Sequence, residues 1–339
     1  MKMRNKWRTL WCVCCAAFLF AGCGGGKEQK TQVGNSQGLP GELLLVVDEA
    51  LWNTPARDSL ESVLKGSVPG LPQNEPMFRM MRLFPENFSS RFSMMRNILE
   101  VRHDPKLEAV EMGVAYDVKA SPQVCVGIKT PDAEMLGRFV TENRETIVNL
   151  FLEGELRREA AMLRQKYSKL VDDASREIFG CTVKVPSDIA KVKKGENFLW
   201  ASTDRVEKDM NYVCYTIPLT DSRELLGGRW VALRDSAMRR NIPGSTPEQW
   251  MATTVEGTDT LVETRMVKLE DGRMACEMRG LWEMHKGGIG GPFVSLAYPD
   301  SAHGRMWVAE GFVYSPRTEK RDLVRRMEAA LRTFKPLGR

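Results

Sequence analysis

Met274-Ala275-Cys276-Glu277-Met278-Arg279-Gly280-Leu281-Trp282-Glu283-Met284-His285 sorts its residues by parity. In an extended chain successive side chains point to opposite faces, so Met274, Cys276, Met278, Gly280, Trp282 and Met284 share one side and Glu277, Arg279, Leu281, Glu283 and His285 the other. The first set packs a core, and the second lines a sheet surface. Runs of the same kind surround this one. Residues 181–185, 198–202, 212–217, 261–269, 293–298 and 306–314 read as strands, interrupted by a helix at 224–240. In the closing stretch, 318–334, Leu323, Val324, Met327, Ala330, Leu331 and Phe334 fall on one helical face, and Pro336 ends it. A mostly antiparallel sheet covered by helices follows.

Toward the N-terminus the pattern mixes strands and helices. An apolar run at 42–47 ends at Asp48, a helix fits 56–65, and a turn-rich segment fills 66–76. Strands fit 77–84, 97–102, 110–117 and 124–129, with a short helix around 87–96. Thr130-Pro131-Asp132 reads as a helix start, with a capping hydroxyl, proline at the first helical position, and Asp132 and Glu134 in the positive end of the dipole. That helical stretch runs to about residue 179. One apolar stripe holds Leu136, Phe139, Val140, Ile147, Val148 and Phe151, and a second holds Leu156, Ala160, Leu163, Tyr167, Leu170 and Ala174. The phase slips between 152 and 154, which predicts a bend or break there. A helix lying across its own sheet is favoured over a partner-binding coiled coil. The chain thus reads as α+β, with mixed or mostly antiparallel sheets and one long helical segment (131–179) between an N-terminal half (41–130) and a C-terminal half (180–339).

Ahead of residue 41 the sequence changes character. Lys2, Arg4, Lys6 and Arg8 precede an apolar run at 10–21 that ends in Phe20-Ala21-Gly22-Cys23. As a helix the run spans about 18 Å against about 30 Å of hydrocarbon, so it reads as the apolar region of a signal peptide (1–22) and not as a permanent span. The Phe-Ala-Gly-Cys stretch resembles the lipobox of bacterial lipoproteins, with Phe20 where that pattern prefers Leu. The resemblance implies cleavage before Cys23, acylation of that cysteine, and several acyl chains that anchor the protein firmly to a membrane. Residues 23–40 read as a lipidated flexible tether with a reach of roughly 23 Å. Just after the cysteine only Glu28 is acidic, flanked by Lys27 and Lys30, which favours the outer membrane facing the periplasm over the cell surface.

The formal charge of +5 does not point to nucleic acid. Without the four basic residues of the first eight, 49 Lys and Arg fall to 45 against 44 Asp and Glu. No later window interleaves basic and stacking aromatic residues, so nucleic-acid binding is excluded.

Further blocks carry two resemblances. Leu71-Pro72-Gln73-Asn74-Glu75-Pro76, Arg234-Asp235-Ser236, Ile242-Pro243-Gly244, Arg279-Gly280-Leu281-Trp282-Glu283, Gly290-Gly291-Pro292-Phe293-Val294 and Gly311-Phe312-Val313-Tyr314 resemble those of an uncharacterised lipoprotein family of Bacteroidetes, a domain of unknown function. The family brings no activity with it. From Val183-Lys184-Val185-Pro186-Ser187 to Arg332-Thr333-Phe334, the order of elements is similar to the Mog1/PsbP-type α+β fold.

Few residues invite chemistry. Cys125, Cys181, Cys214 and Cys276 sit in strand-like runs, too far apart and too poor in neighbouring histidine for zinc, and read as buried free thiols in preference to disulfides. His103, His285 and His303 lack metal-ligand spacing, and Ser295 stands inside a strand rather than at a nucleophile elbow. No cofactor motif is present. Candidate binding residues are Arg279, Glu283 and His285 beside the glycine loop 287–291, where Gly290 and Gly291 permit close backbone approach to a ligand, together with Arg234 and Asp235 on the 224–240 helix. Adjacent helical residues point about 100° apart, so Arg234 and Asp235 are expected to serve different neighbours, with Arg279 or Glu283 as conceivable partners. The leading functional expectation is a non-catalytic envelope protein that binds another envelope protein or a surface polymer through the second-half sheet and the long helix. The alternative is a ligand-binding domain or hydrolase with a pocket near Arg279, Glu283 and the glycine loop.

Overall fold

Leu43, Leu44, Leu45, Val46 and Val47 are all fully buried, because the strand they form is central in a sheet covered on both faces. The computed structural model describes residues 33–257, 259–269 and 271–337. The expected signal peptide, the lipobox and Cys23 lie outside the described residues.

The first half contains β1 (Glu42–Val47), α1 (Ala56–Leu64), β2 (Arg79–Leu83), β3 (Asn97–His103), β4 (Glu111–Tyr116) and β5 (Val124–Thr130). Its sheet runs β2-β1-β3-β5-β4 and is parallel except for β4. The short helix expected around 87–96 is instead two 3-10 turns, Pro85–Asn87 and Phe92–Met94. They carry Phe88 and Phe92 over Leu44 and Val46. Residues 33–40, read from composition as tether, are fixed to the fold. Ser36 N donates to Ser121 O, Gln37 N to Met94 O, and Arg96 N to Gln37 O. These are backbone bonds, to which composition is blind.

Three helices follow: α2 (Ala133–Glu142), α3 (Arg144–Gln165) and α4 (Lys169–Phe179). The cap of α2 is Asp132, whose carboxylate accepts Met135 N at 2.8 Å, while Thr130 ends β5. Pro131 disfavours helical backbone at the residue before it, which pushes the start past Thr130. The break expected at 152–154 is absent, and the chain interrupts its helix at Asn143 and between Lys166 and Ser168. The phase slip has another cause. Ile147, Val148 and Phe151 of α3 belong to the first-half core, whereas Leu152, Leu156, Ala160 and Leu163 belong to the second. One uninterrupted helix therefore changes its buried face as it passes between two cores. Leu170, counted in the second stripe, is 60% exposed.

In the second half come β6 (Lys191–Gly195), β7 (Phe198–Ser202), β8 (Asp209–Pro218), α5 (Trp230–Asn241), β9 (Met251–Thr253), β10 (Val262–Lys268), β11 (Met274–Met284), β12 (Gly290–Asp300), β13 (Arg305–Tyr314) and α6 (Arg321–Arg332). The strands build one antiparallel sheet in the order β9-β11-β12-β13-β8-β7-β6, with β10 also on β11. Ahead of α5, the expected helix begins as a π-type turn, Leu225–Arg229, where Gly228 takes φ +105°. Alternation decides which face each residue serves. Cys276, Met278, Trp282, Phe293 and Phe312 pack toward α5, while Val294, Leu296, Tyr298, Ala309 and Val313 share a core with α3, α4 and α6. The fold is α+β, with a mixed sheet in the first half and an antiparallel one in the second. Cys125, Cys181, Cys214 and Cys276 carry free thiols.

Candidate functional site

The parity of β11 puts Glu277 and Arg279 on the side of α6, and that side is covered rather than open to solvent. Glu277 has no exposure and Arg279 only 8%. Both line a cavity of about 430 Å³ between the turn after α1, α3, α6 and strands β10 and β11. Part of its wall is apolar, from Val68, Pro69, Met77, Val148 and Leu152. Its deep side carries Glu277, Arg279, Arg325 and Glu328, all buried, and its outer part carries Arg144, Glu145, Glu263 and Arg265, all exposed.

The deep charges are held by one another. Arg279 Nη2 donates to Glu328 Oε2 at 2.6 Å, and Arg279 Nε to Glu277 Oε1 at 3.1 Å. Arg265 Nε reaches the same Glu277 Oε1 at 2.8 Å, and Arg332 Nη2 donates to Glu328 Oε1 at 3.1 Å. Burial alone would lift the Glu328 pKa, but Arg279 and Arg332 more than offset it and hold the carboxyl down at about 2. Burial likewise works against the Arg279 cation, and Glu328 and Glu277 outweigh it, so its pKa is raised. Arg325 goes the other way. Burial, reinforced by the nearby Arg321 cation, lowers it to about 10. Through all of this Glu277 Oε2 is left buried with no hydrogen-bond partner.

The remaining sequence candidates do not join this group. Arg234 projects from α5 onto the opposite face of the sheet, where Nε and Nη2 grip Glu310 at 2.7–3.1 Å. Its expected partners Arg279 and Glu283 are therefore out of its reach, on the other side of the sheet. Asp235 is not divorced from its neighbour either. Arg234 Nη1 donates to Asp235 Oδ1 at 3.3 Å, and both side chains converge on the Thr253 hydroxyl. Rotation between adjacent helical residues is bridged here by the length of the arginine. Glu283 is half-buried near the end of β11, in register with Gly290 and Ala252. His285 stacks on Trp250, with ring centroids 4.4 Å apart, and Arg239 also lies over Trp250.

Gly290 and Gly291 open β12, and the backbone they approach is the chain's own. A Cβ at Gly290 would meet Trp282 O at 2.4 Å, and one at Gly291 would meet Val313 O at 2.1 Å. Close strand packing requires glycine at these positions.

Glu328 and Arg325 were missed by sequence reasoning, which attended to the apolar face of the last helix. A signal was present. Arg321, Arg325, Glu328 and Arg332 recur at i, i+4, i+7 and i+11, a charged stripe on the spacing of a buried face. Among the described residues no group of three His, Cys, Asp or Glu is placed to hold a metal ion, and no helix is long and apolar enough to cross a membrane.

Two families of unknown function account for most of the chain. Residues 168–333 match the model of one domain of unknown function (DUF4837), and residues 36–164 match that of another (DUF8532). A single family over the whole length was expected. The two matches meet at the interruption between α3 and α4. No curated protein matches the chain. Among solved structures, a point mutant of Protein Mog1 is similar over 47% of this chain and 91% of its own, at 11% identity and a TM-score of 0.31. The Saccharomyces cerevisiae Ran-binding protein Mog1p is similar over 47% of this chain and 90% of its own, at 10% identity and a TM-score of 0.29. A protein from Bacteroides thetaiotaomicron VPI-5482 covers 46% of this chain with 45% of its own, at 12% identity and a TM-score of 0.20. Likeness this slight carries no argument about this chain.

Proposed function

We propose that this chain is an envelope lipoprotein, anchored through acylated Cys23 to the outer membrane on its periplasmic side, that works by binding rather than by catalysis. Its binding place on this reading is the cavity lined by Glu277 and Arg279. The observation that carries it is the cavity itself, where Val68, Pro69, Met77, Val148 and Leu152 adjoin the exposed charges of Arg144, Glu145, Glu263 and Arg265. About 430 Å³ lies within the range of small-molecule sites, and the lining joins hydrocarbon to charged side chains that can orient a ligand. The alternative route, through the long helix, is less supported because Ile147, Phe151, Leu156, Ala160 and Leu163 are spent in the chain's own cores.

The test is native mass spectrometry of the protein taken gently from its own envelope, beside a Ser67→Trp variant that crowds the cavity from exposed Ser67 on its rim. A small molecule held by the parent and absent from an equally folded variant is the expected outcome. Equal retention, or none in either, removes the cavity as the binding place. For the anchor, Cys23→Ala should release the protein from sedimented envelopes, and a variant that still pellets like the parent defeats that part of the reading.

A further inference from the structure

Resting on the export part of that reading, we infer that Cys181 and Cys214 become joined by a disulfide in the envelope, and that the two free thiols are its reduced form. The fold selects this pair. Cys125 stands on β5 in the first half, against Leu44, Val46 and Ile98, and Cys276 packs on the α5 face of the second sheet. Cys181 and Cys214 share the core on the other face of that sheet, with α3, α4 and α6. Every complete pairing of the four cysteines needs Cys125 to meet one from the second half, so the fold forbids all three and leaves one pair and two single thiols.

Named contacts bring the pair together. Trp307 Nε1 donates to Phe179 O at 3.1 Å, which ties the end of α4 to β13. On β13 Trp307 lies opposite Thr216 of β8, and Ala309 lies opposite Cys214, so the chain leaves α4 over the stretch of β8 that carries Cys214. Cys181 Sγ donates to Ser175 O at 3.7 Å, and the Cys214 thiol is its other hydrogen-bonding neighbour. From such contact a small side-chain rotation closes the roughly 2 Å separation of a disulfide.

The bond forms by thiol–disulfide exchange. One cysteine thiolate attacks a small-molecule or protein disulfide and releases its first sulfur, and the second cysteine attacks the mixed disulfide and releases the other. The two cysteines lose two protons and two electrons, and the external disulfide becomes two thiols. Neither cysteine has any exposure, and the contact with Cys214, together with burial, keeps the folded Cys181 thiol protonated. Exchange therefore belongs to folding, before the core closes. An oxidising compartment retains such a bond and a reducing one does not. The cross-link encloses residues 182–213 and pins the strand that follows α4 to β8.

The experiment traps thiols in protein from sedimented envelopes by acid, unfolds it in guanidinium, alkylates with iodoacetamide, then reduces and labels with N-ethylmaleimide. Peptide mass mapping should find the first label on Cys125 and Cys276 and the second on Cys181 and Cys214. A companion measurement refolds the purified full-length protein in mixed reduced and oxidised glutathione. The same pair should close there, and the urea midpoint of the closed form should lie above that of the reduced form. In Cys181→Ala that difference should vanish, and Cys214 should take the first label. First label on Cys181 and Cys214 in envelope protein overturns the disulfide, and so does a pair that stays open in glutathione. Failure of the export reading looks different, because the protein is then missing from the envelope pellet while the pair still closes in glutathione.

Discussion

Arg234 and Glu310 form an ion pair in which neither side chain has any exposure. Ser295 Oγ donates to the second carboxylate oxygen, and the guanidinium lies 3.9 Å from the centre of the Phe293 ring. Burying two charges is expensive, and the pair survives because the guanidinium's donors and both carboxylate oxygens are engaged. Its carboxylate sits on β13 and its guanidinium on α5, so it fixes that helix to the sheet.

Removing one member should therefore cost far more than removing both. Glu310→Ala is expected to lower the unfolding free energy by about 3–5 kcal/mol, because it leaves Nε and Nη2 of a fully buried guanidinium without their acceptor and Asp235 as the one remaining carboxylate in contact. Arg234→Met combined with Glu310→Leu should recover most of that loss. Urea unfolding followed by circular dichroism measures both, and a single variant as stable as the parent would show that the pair contributes no hold on α5.

Glu75 provides the second prediction. Its carboxylate accepts Lys320 N and Arg321 N, each at 2.8 Å, and so caps α6 from a turn some 245 residues away in sequence. Arg321 and Arg325 return the favour by donating to Pro76 O and Met77 O. Glu75→Ala leaves buried backbone donors unpaired at the positive end of a helix, and should cost about 1–3 kcal/mol. Amide exchange in the first turn of α6 should quicken with it. Unchanged exchange at Lys320 and Arg321 would argue that the turn does not cap the helix.

Much of this architecture was legible from periodicity. The alternation of β11 separates its two faces, although Met274, assigned to the core, is 46% exposed, and Val324, Met327, Ala330 and Leu331 of α6 are buried as its spacing requires. What periodicity could not supply was whether the charged face of β11 met water or another layer. Glu277 and Arg279 look the same in sequence whether solvated or sealed, and only the stripe of Arg321, Arg325, Glu328 and Arg332 on a distant helix decides between them. The supposed break in α3 failed for a related reason. Phase analysis assumes that a helix serves one core, and α3 serves two. The glycines of β12 marked a close approach, as glycines do, but not to what.

Glu328 gives stability a dependence on acid. Its pKa in the folded chain is about 2, below the roughly 4.3 of an exposed glutamate, so the folded state binds this proton less readily than the unfolded state. Its contribution is then complete above the unfolded value and is lost as pH falls toward the folded one. The urea midpoint should drop between about pH 5 and pH 2. Asp172 and Glu155 are depressed as well and share the window, so the comparison that isolates Glu328 is with Glu328→Gln. That variant should be weaker at neutral pH and lose less between pH 5 and pH 2. A parallel decline in the two proteins would mean that Glu328 titrates normally.

Thiol chemistry offers a check that does not involve the cavity. Of Cys125, Cys181, Cys214 and Cys276, only Cys125 is partly exposed, and burial, helped by Glu100 and Asp117, pushes its pKa up to about 12. Alkylation proceeds through the thiolate, and an ordinary cysteine titrates near 8.5. At pH 8 the native protein should therefore react with iodoacetamide at Cys125 on the order of a thousandfold more slowly than the same protein in guanidinium. Glu100→Gln and Asp117→Asn should each speed it modestly, since burial is the larger cause and stays in place. Peptide mass mapping over time gives the rate, and labelling of native Cys125 as fast as that of the unfolded chain would show that β5 is open to solvent at this position.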